Sequence, residues 1–308
     1  MTSAPEAAAC DTDTHLHVFG PPQRYPLRPG LTSAPWEATW HAYQEIAAPL
    51  GLARQVFVQP SLYGSDNRCL LDALTAAGAG RARGVVQLDD AKPGEQDLDG
   101  WHALGVRGLR VNCFPLSQAR HSVQSPMRPE SGWADAVRPR LQRQAALARE
   151  RGWHLDLLAP GWLVLELLRD LRELPVSFVL AHLGMFPAED GPGQPGFRAL
   201  LNLLSDGSGR CWVKLSGPYR ISQQEKFRDV GPMAQALLAA APDRVLWGSD
   251  FPHLGWTDQV STADMVALLP RLVPDPGERA RVLVHNPAAL YGFDLTQPKA
   301  QSSTAKRT

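Results

Sequence analysis

The sequence predicts a single (β/α)8 barrel. Three observations carry the prediction. Eight short strand-like runs follow one another along the chain, the segments between them carry helical apolar spacing, and 308 residues are enough for a barrel, which typically needs about 250. Several runs are almost wholly apolar, such as Val176-Ser-Phe-Val-Leu-Ala and Arg244-Val-Leu-Trp. Continuous apolar strands separated by helices indicate a parallel sheet covered on its outer face. A doubly wound open sheet is the alternative. It has no call for eight strands, and no GxGxxG follows the first run.

The first strand is expected over Cys10–His17, followed by a Pro- and Gly-rich loop over Phe19–Pro35. Strands two to four are expected over Arg54–Pro60, Gly84–Leu88 and Val106–Asn112, with a second long loop over Cys113–Ser131. Leu141, Ala145, Leu147 and Ala148 form one helical stripe ahead of strand five, Trp153–Ala159. Leu163, Leu165, Leu167, Leu168 and Leu171 mark the next helix, ahead of strand six, Val176–His182. Strand seven is Cys211–Leu215. Pro232, Ala234, Leu237, Leu238 and Ala241 mark the helix before strand eight, Arg244–Asp250, and Met265, Leu268 and Leu269 a later one. The barrel is expected to occupy residues 1–295 as one domain, with a polar, disordered tail over 296–308.

Composition narrows the function classes. There are 31 basic and 31 acidic residues and no long basic run before the tail, so a nucleic-acid partner is disfavoured. Cys10, Cys69, Cys113 and Cys211 form no CxxC pair and read as scattered reduced thiols, which suits the cytoplasm. No apolar stretch approaches the roughly 18 residues of a membrane span, and the first ten residues do not read as a signal peptide. A cytoplasmic enzyme or small-molecule binding barrel is the expectation.

Loops that follow barrel strands sit at the face that carries active sites. Asp13-Thr-His-Leu-His17 places His15 and His17 on one face of the first strand, at its end. His182 closes strand six and Asp250 strand eight. A carboxylate ending a buried apolar strand is costly without partners. Taken alone, each has a plain structural reading: a turn residue for Asp250, a satisfied core histidine for His182, two polar residues before a loop for the His-x-His pair. Their shared position at strand ends is what singles them out. Arg110, at the end of strand four, and Arg220, just past strand seven, are suited to bidentate binding of an anion, or to an ion pair with a nearby acid. Ser61, after strand two, is a further candidate for a substrate hydrogen bond.

All of these residues except Arg220 lie in stretches that resemble the amidohydrolase superfamily, in its lactonase branch. The stretches are Asp13-Thr-His-Leu-His-Val-Phe-Gly-Pro21, Gln55-Val-Phe-Val-Gln-Pro-Ser61, Gly105-Val-Arg-Gly-Leu-Arg-Val-Asn112, Leu180-Ala-His-Leu-Gly184, Trp247-Gly-Ser-Asp-Phe-Pro-His253 and Asn286-Pro-Ala-Ala-Leu-Tyr291. Within that branch they resemble the 2-pyrone-4,6-dicarboxylate lactonases. The resemblance implies a (β/α)8 barrel. In metal-binding members a His-x-His pair, further histidines and a final-strand Asp hold a divalent ion, usually zinc. In the pyrone-dicarboxylate lactonases it implies no metal, with the final-strand Asp activating water.

Carried over by motif, Asp250 is the general base, His15, His17 and His182 surround the lactone, and Arg110, Arg220, Ser61 and His253 contact the substrate. No cofactor is expected. A zinc-dependent hydrolase or decarboxylase using His15, His17, His182 and Asp250 is the alternative, beside a lactone isomerase and a non-catalytic binding barrel. Two departures stand out. Leu158 occupies the fifth-strand position where metal-dependent relatives place a ligand and the pyrone lactonases a tyrosine, and His154 lies at the wrong end of that strand. The loop after Asn112 also lacks an early arginine, Arg120 being the first.

Overall fold

The computed structural model describes residues 11–29, 37–88, 97–114 and 132–295. Eight strands run in chain order: β1 (Asp11–Leu16), β2 (Leu52–Val58), β3 (Ala82–Val86), β4 (Val106–Asn112), β5 (His154–Leu158), β6 (Phe178–Leu180), β7 (Cys211–Leu215) and β8 (Val245–Trp247). Each pairs in parallel with the next. β1 and the segment after β8 close the ring. Leu16 bridges Phe251, Asp250 N donates to His15 O at 2.8 Å, and His17 N donates to Phe251 O at 2.8 Å. The expected (β/α)8 barrel is the observed fold.

Helices cover the outer face, as the apolar stripes require. Trp133–Glu150 buries Leu141, Ala145 and Ala148 against the sheet, and Thr262–Leu272 buries Met265, Leu268 and Leu269. The latter begins with a capping box between Ser261 and Asp264, which satisfies donors that the first turn leaves open. The inner face carries a second apolar set, including Val56, Val58, Val85, Val179 and Leu246, against which Tyr291 and Phe293 pack. Among the described residues no helix is long and apolar enough to cross a membrane.

Beside shifts of one or two residues at other strand ends, three elements differ from the expectation. β6 stops at Leu180 and β8 at Trp247, so His182 and Asp250 stand just beyond their strands rather than inside them. The helix predicted over Leu163–Leu171 is two, Gly161–Glu166 and Leu168–Glu173, broken at Leu167. Leu163, Leu167 and Leu171 fall four apart and are buried, whereas Leu165 is off that stripe and exposed. Residues 19–29 form neither strand nor helix, as expected of a loop. The rest of that loop, most of the loop after Cys113 including Arg120, and the tail 296–308 lie outside the described residues.

The β1–β8 seam leaves no room beside Gly248. A Cβ there would lie 2.5 Å from His15 Cβ and 2.7 Å from His15 N. Gly248→Ala is therefore expected to cost about 1–3 kcal/mol, the range for overpacking a filled interior. Chemical denaturation measures it. A variant as stable as wild type would show that the seam yields freely.

Candidate active site

Asp13 is buried in the seam and ties both of its sides together. Its Oδ1 accepts from His15 N at 3.0 Å and from Ser249 N at 2.9 Å, and its Oδ2 accepts from Tyr43 OH at 2.8 Å. This fixes where β1 delivers His15 and His17 relative to Asp250. Asp250 (φ 63°), His182 (φ 53°) and His253 (φ 60°) all occupy the left-handed region, which is costly for residues other than glycine and is held here by surrounding contacts. Gly217 (φ 51°) permits the closest approach. A Cβ on it would lie 2.9 Å from both Asp250 Oδ2 and His182 Nδ1.

The two oxygens of Asp250 have different surroundings. Oδ2 accepts from Arg220 Nε and from Tyr219 OH, both at 2.7 Å. Oδ1 is buried without a hydrogen bond from the described residues and lies 3.7 Å from Nε2 of both His15 and His17. Burial alone would raise the Asp250 pKa. The Arg220 guanidinium, with His182 and His17, reverses this and holds the carboxyl well below its ordinary value.

The three histidines pack as a cluster. The rings of His15 and His17 are 5.1 Å apart, and those of His15 and His182 5.0 Å. Burial lowers all three pKa values, that of His17 to about 4, against the pull of Asp250. Each imidazole is therefore neutral at pH 7. His17 Nδ1 sits 2.7 Å from Val58 O, a group that only accepts, so Nδ1 carries the proton and Nε2 is left as an acceptor. His182 Nδ1 pairs with Ser216 Oγ at 2.9 Å.

The other candidates are placed less directly. His253 engages both ring nitrogens within the protein, Tyr219 OH at 3.3 Å and Thr262 Oγ1 at 3.2 Å, so it supports Tyr219. Ser61 accepts from Asn112 Nδ2 at 2.8 Å, which joins the ends of β2 and β4. Of the two readings open for Arg110, the structure shows the ion pair with a nearby acid. Arg110 is buried and its ion pair is with Asp156, so the chain itself supplies an anion to it.

Asp156, Lys214 and Tyr219 were not singled out as site residues by the sequence reading. Asp156 Oδ2 accepts from Lys214 Nζ at 2.6 Å, and Lys214 Nζ also stands 3.3 Å from His15 Nδ1. Burial would raise Asp156, but Lys214 and Arg110 hold it far below the ordinary carboxylate range. Burial lowers Lys214, and Asp156 draws it part of the way back. The overlooked signal was a charge in the middle of an apolar strand, His-Leu-Asp-Leu-Leu in β5 and Cys-Trp-Val-Lys-Leu in β7.

His15, His17 and Asp250 place one ligand atom each within 4.8 Å of one another, the number of protein ligands in a catalytic zinc site. His182, counted in the zinc alternative, is outside this group. A metal-ligating histidine usually donates its second ring N–H to an acceptor. His17 does so, to Val58 O. His15 instead meets the Lys214 ammonium, which has no acceptor to offer. Leu158, at the end of β5, is buried and apolar. At His15 and at the end of β5 the donor set departs from what a zinc centre usually shows.

The amidohydrolase family profile matches residues 12–293. The chain belongs to the amidohydrolase family. Within it, the chain is 31% identical to a 4-sulfomuconolactone hydrolase from Hydrogenophaga intermedia, over 91% of this chain and 88% of that protein. It is 30% identical to a 2-pyrone-4,6-dicarboxylate hydrolase from Comamonas testosteroni, over 91% and 89%. Among solved structures, a Pseudomonas putida protein assigned as a 2-pyrone-4,6-dicarboxylic acid hydrolase superposes with a TM-score of 0.76 at 32% identity, over 93% of this chain and 99% of that one.

Asp156 neutralises two buried cations at once. Asp156→Ala should therefore destabilise the fold by about 3–5 kcal/mol, the cost of stranding buried charge. Asp66→Ala, which breaks the exposed pair with Arg68, should cost at most about 1 kcal/mol. Urea denaturation of the two variants makes the comparison, and equal losses would contradict this account of the Arg110–Asp156–Lys214 group.

Proposed function

We propose that this chain is a lactonase that opens the ring of a carboxylated lactone similar to 2-pyrone-4,6-dicarboxylate, with Asp250 as the base that activates water. The observation that carries this reading is the division of labour within Asp250. One oxygen is anchored by Arg220 and Tyr219, and the other meets no donor among the described residues and faces two neutral imidazoles. A water against Oδ1 would give it a proton as its oxygen bonds to the lactone carbonyl carbon. The ring C–O bond then breaks, and the departing ring oxygen takes up a proton.

The energetics suit this assignment. General-base catalysis contributes about 10²–10⁴-fold even from a weak base. Arg220 weakens Asp250 as a base but keeps it ionised throughout the working pH range. The carbonyl oxygen gains negative charge as water attacks, and a well-placed donor on it contributes about 3–4 kcal/mol. His15 and His182 are the side chains assigned to that oxygen. His17 Nε2, an acceptor, is assigned to the attacking water instead. Arg220 also binds the substrate carboxylate in this reading, whereas Arg110 serves the interior. Cys69, Cys113 and Cys211 are buried free thiols, which supports a reducing, cytoplasmic setting.

Two outcomes test the reading. Asp250→Asn keeps the shape but removes the base, so kcat should fall at least about 10²-fold on any lactone the wild type opens, while substrate still binds. A variant keeping more than about a tenth of wild-type kcat would place the base elsewhere, and loss of wild-type activity to a chelator would return zinc to the site. The pH profile follows from the shifts. Asp250, with its lowered pKa, loses its charge only below the ordinary value of 3.8. His17 gains charge near 4. The rate should therefore show no inflection at the ordinary imidazole value of 6.5, and an acid limb centred there would contradict the burial argument.

A further inference from the structure

Lys214 is fully buried at the middle of the barrel, where an ammonium is costly and where the reaction proposed above gives it no direct part. Among the described residues its Nζ has two partners, Asp156 Oδ2 at 2.6 Å and His15 Nδ1 at 3.3 Å. The first explains how the charge is tolerated. The second fixes a proton.

We propose that Lys214 is a positioning residue that holds His15 as the Nε2–H tautomer, so that His15 presents a hydrogen-bond donor, and not a lone pair, to the substrate pocket. An ammonium carries three donors and no acceptor. Set against His15 Nδ1, it requires that nitrogen to accept, and a neutral imidazole whose Nδ1 accepts carries its proton on Nε2. Burial and the neighbouring cations Lys214 and Arg110 keep His15 neutral, which leaves it one N–H only. Among the described residues His15 Nε2 makes no hydrogen bond, and it stands 3.7 Å from Asp250 Oδ1, so the N–H is available to a ligand beside the base.

The neighbouring histidine has the opposite arrangement. Val58 O holds the proton of His17 on Nδ1 and leaves Nε2 as an acceptor, at the same 3.7 Å from Asp250 Oδ1. The pair His15 and His17, alike in sequence, is therefore split into one donor and one acceptor by what lies behind each ring. Asp156 and Arg110 serve the same end. Asp156 holds Lys214 against His15, and Arg110 shares the carboxylate that Lys214 alone would not fully satisfy. The assignment of the His15 N–H to a carbonyl oxygen rests on the lactonase reading, whereas the tautomer does not.

Long-range proton–nitrogen correlation spectra of 15N-histidine-labelled protein report the tautomer, with His15→Asn assigning the His15 signals. Wild-type His15 is expected as Nε2–H and His17 as Nδ1–H. His15 found as Nδ1–H, or doubly protonated at pH 7, overturns the proposal whether or not any variant folds. In Lys214→Met, which keeps the chain length and leaves Asp156 paired with Arg110, His15 should move to Nδ1–H or to a mixture. An unchanged Nε2–H signal in the folded variant also overturns it. On a lactone that the wild type opens, Lys214→Met should lose about 10²-fold in kcat with KM within about twofold, as for loss of one transition-state donor. A loss confined to KM would contradict the catalytic half. If no lactone is opened by the wild type, the functional reading fails while the spectra still decide the tautomer.

Discussion

The seam between β1 and the turn after β8 is the constraint on which the site depends. Asp250 N donates to His15 O, His17 N donates to Phe251 O, and the buried Asp13 carboxylate binds the backbone on both sides. These contacts join residues more than two hundred positions apart. They hold the His-x-His pair and Asp250 at one separation, 3.7 Å for each imidazole, which is too long for a direct bond and short enough for a shared ligand. Gly248 and Gly217 are the places where a side chain would push that arrangement apart.

Charge is distributed along the barrel in two tiers. Near the mouth, Arg220 and Tyr219 hold one edge of Asp250. Deeper, Asp156 sits between Arg110 and Lys214. Lys214 links the tiers through His15. A buried ion pair is a weak source of net stability, because desolvation offsets much of the attraction. Its value here lies in direction: it decides which His15 nitrogen bears a proton, and it adds to the burial that keeps His15 neutral.

Much of this was legible in the sequence. Apolar strand runs alternating with leucine stripes were enough for the barrel, because a parallel sheet buried on both faces leaves few other choices. His15, His17, His182, Asp250 and Arg220 could be placed at one mouth because their positions follow strands. What could not be read was pairing across the barrel. Nothing local to β4 says that Arg110 meets Asp156 of β5, since that depends on parallel register, and an arginine at a strand end reads equally as an anion binder. His253 reads as a site residue by proximity to Asp250, yet its ring turns toward Tyr219 and Thr262. Lys214 and Asp156 were visible as charges inside apolar strands, but only closure of the sheet shows that they meet.

In the proposed reaction water, activated by Asp250, attacks the carbonyl carbon of a lactone. Ring opening in oxygen-18 water, followed by mass spectrometry of the product, tests it most directly. The account predicts one labelled oxygen per turnover, located in the newly formed carboxylate, with the released hydroxyl or keto oxygen unlabelled. Label on the carbon that bore the ring oxygen, or a rearranged lactone carrying no label, would contradict it.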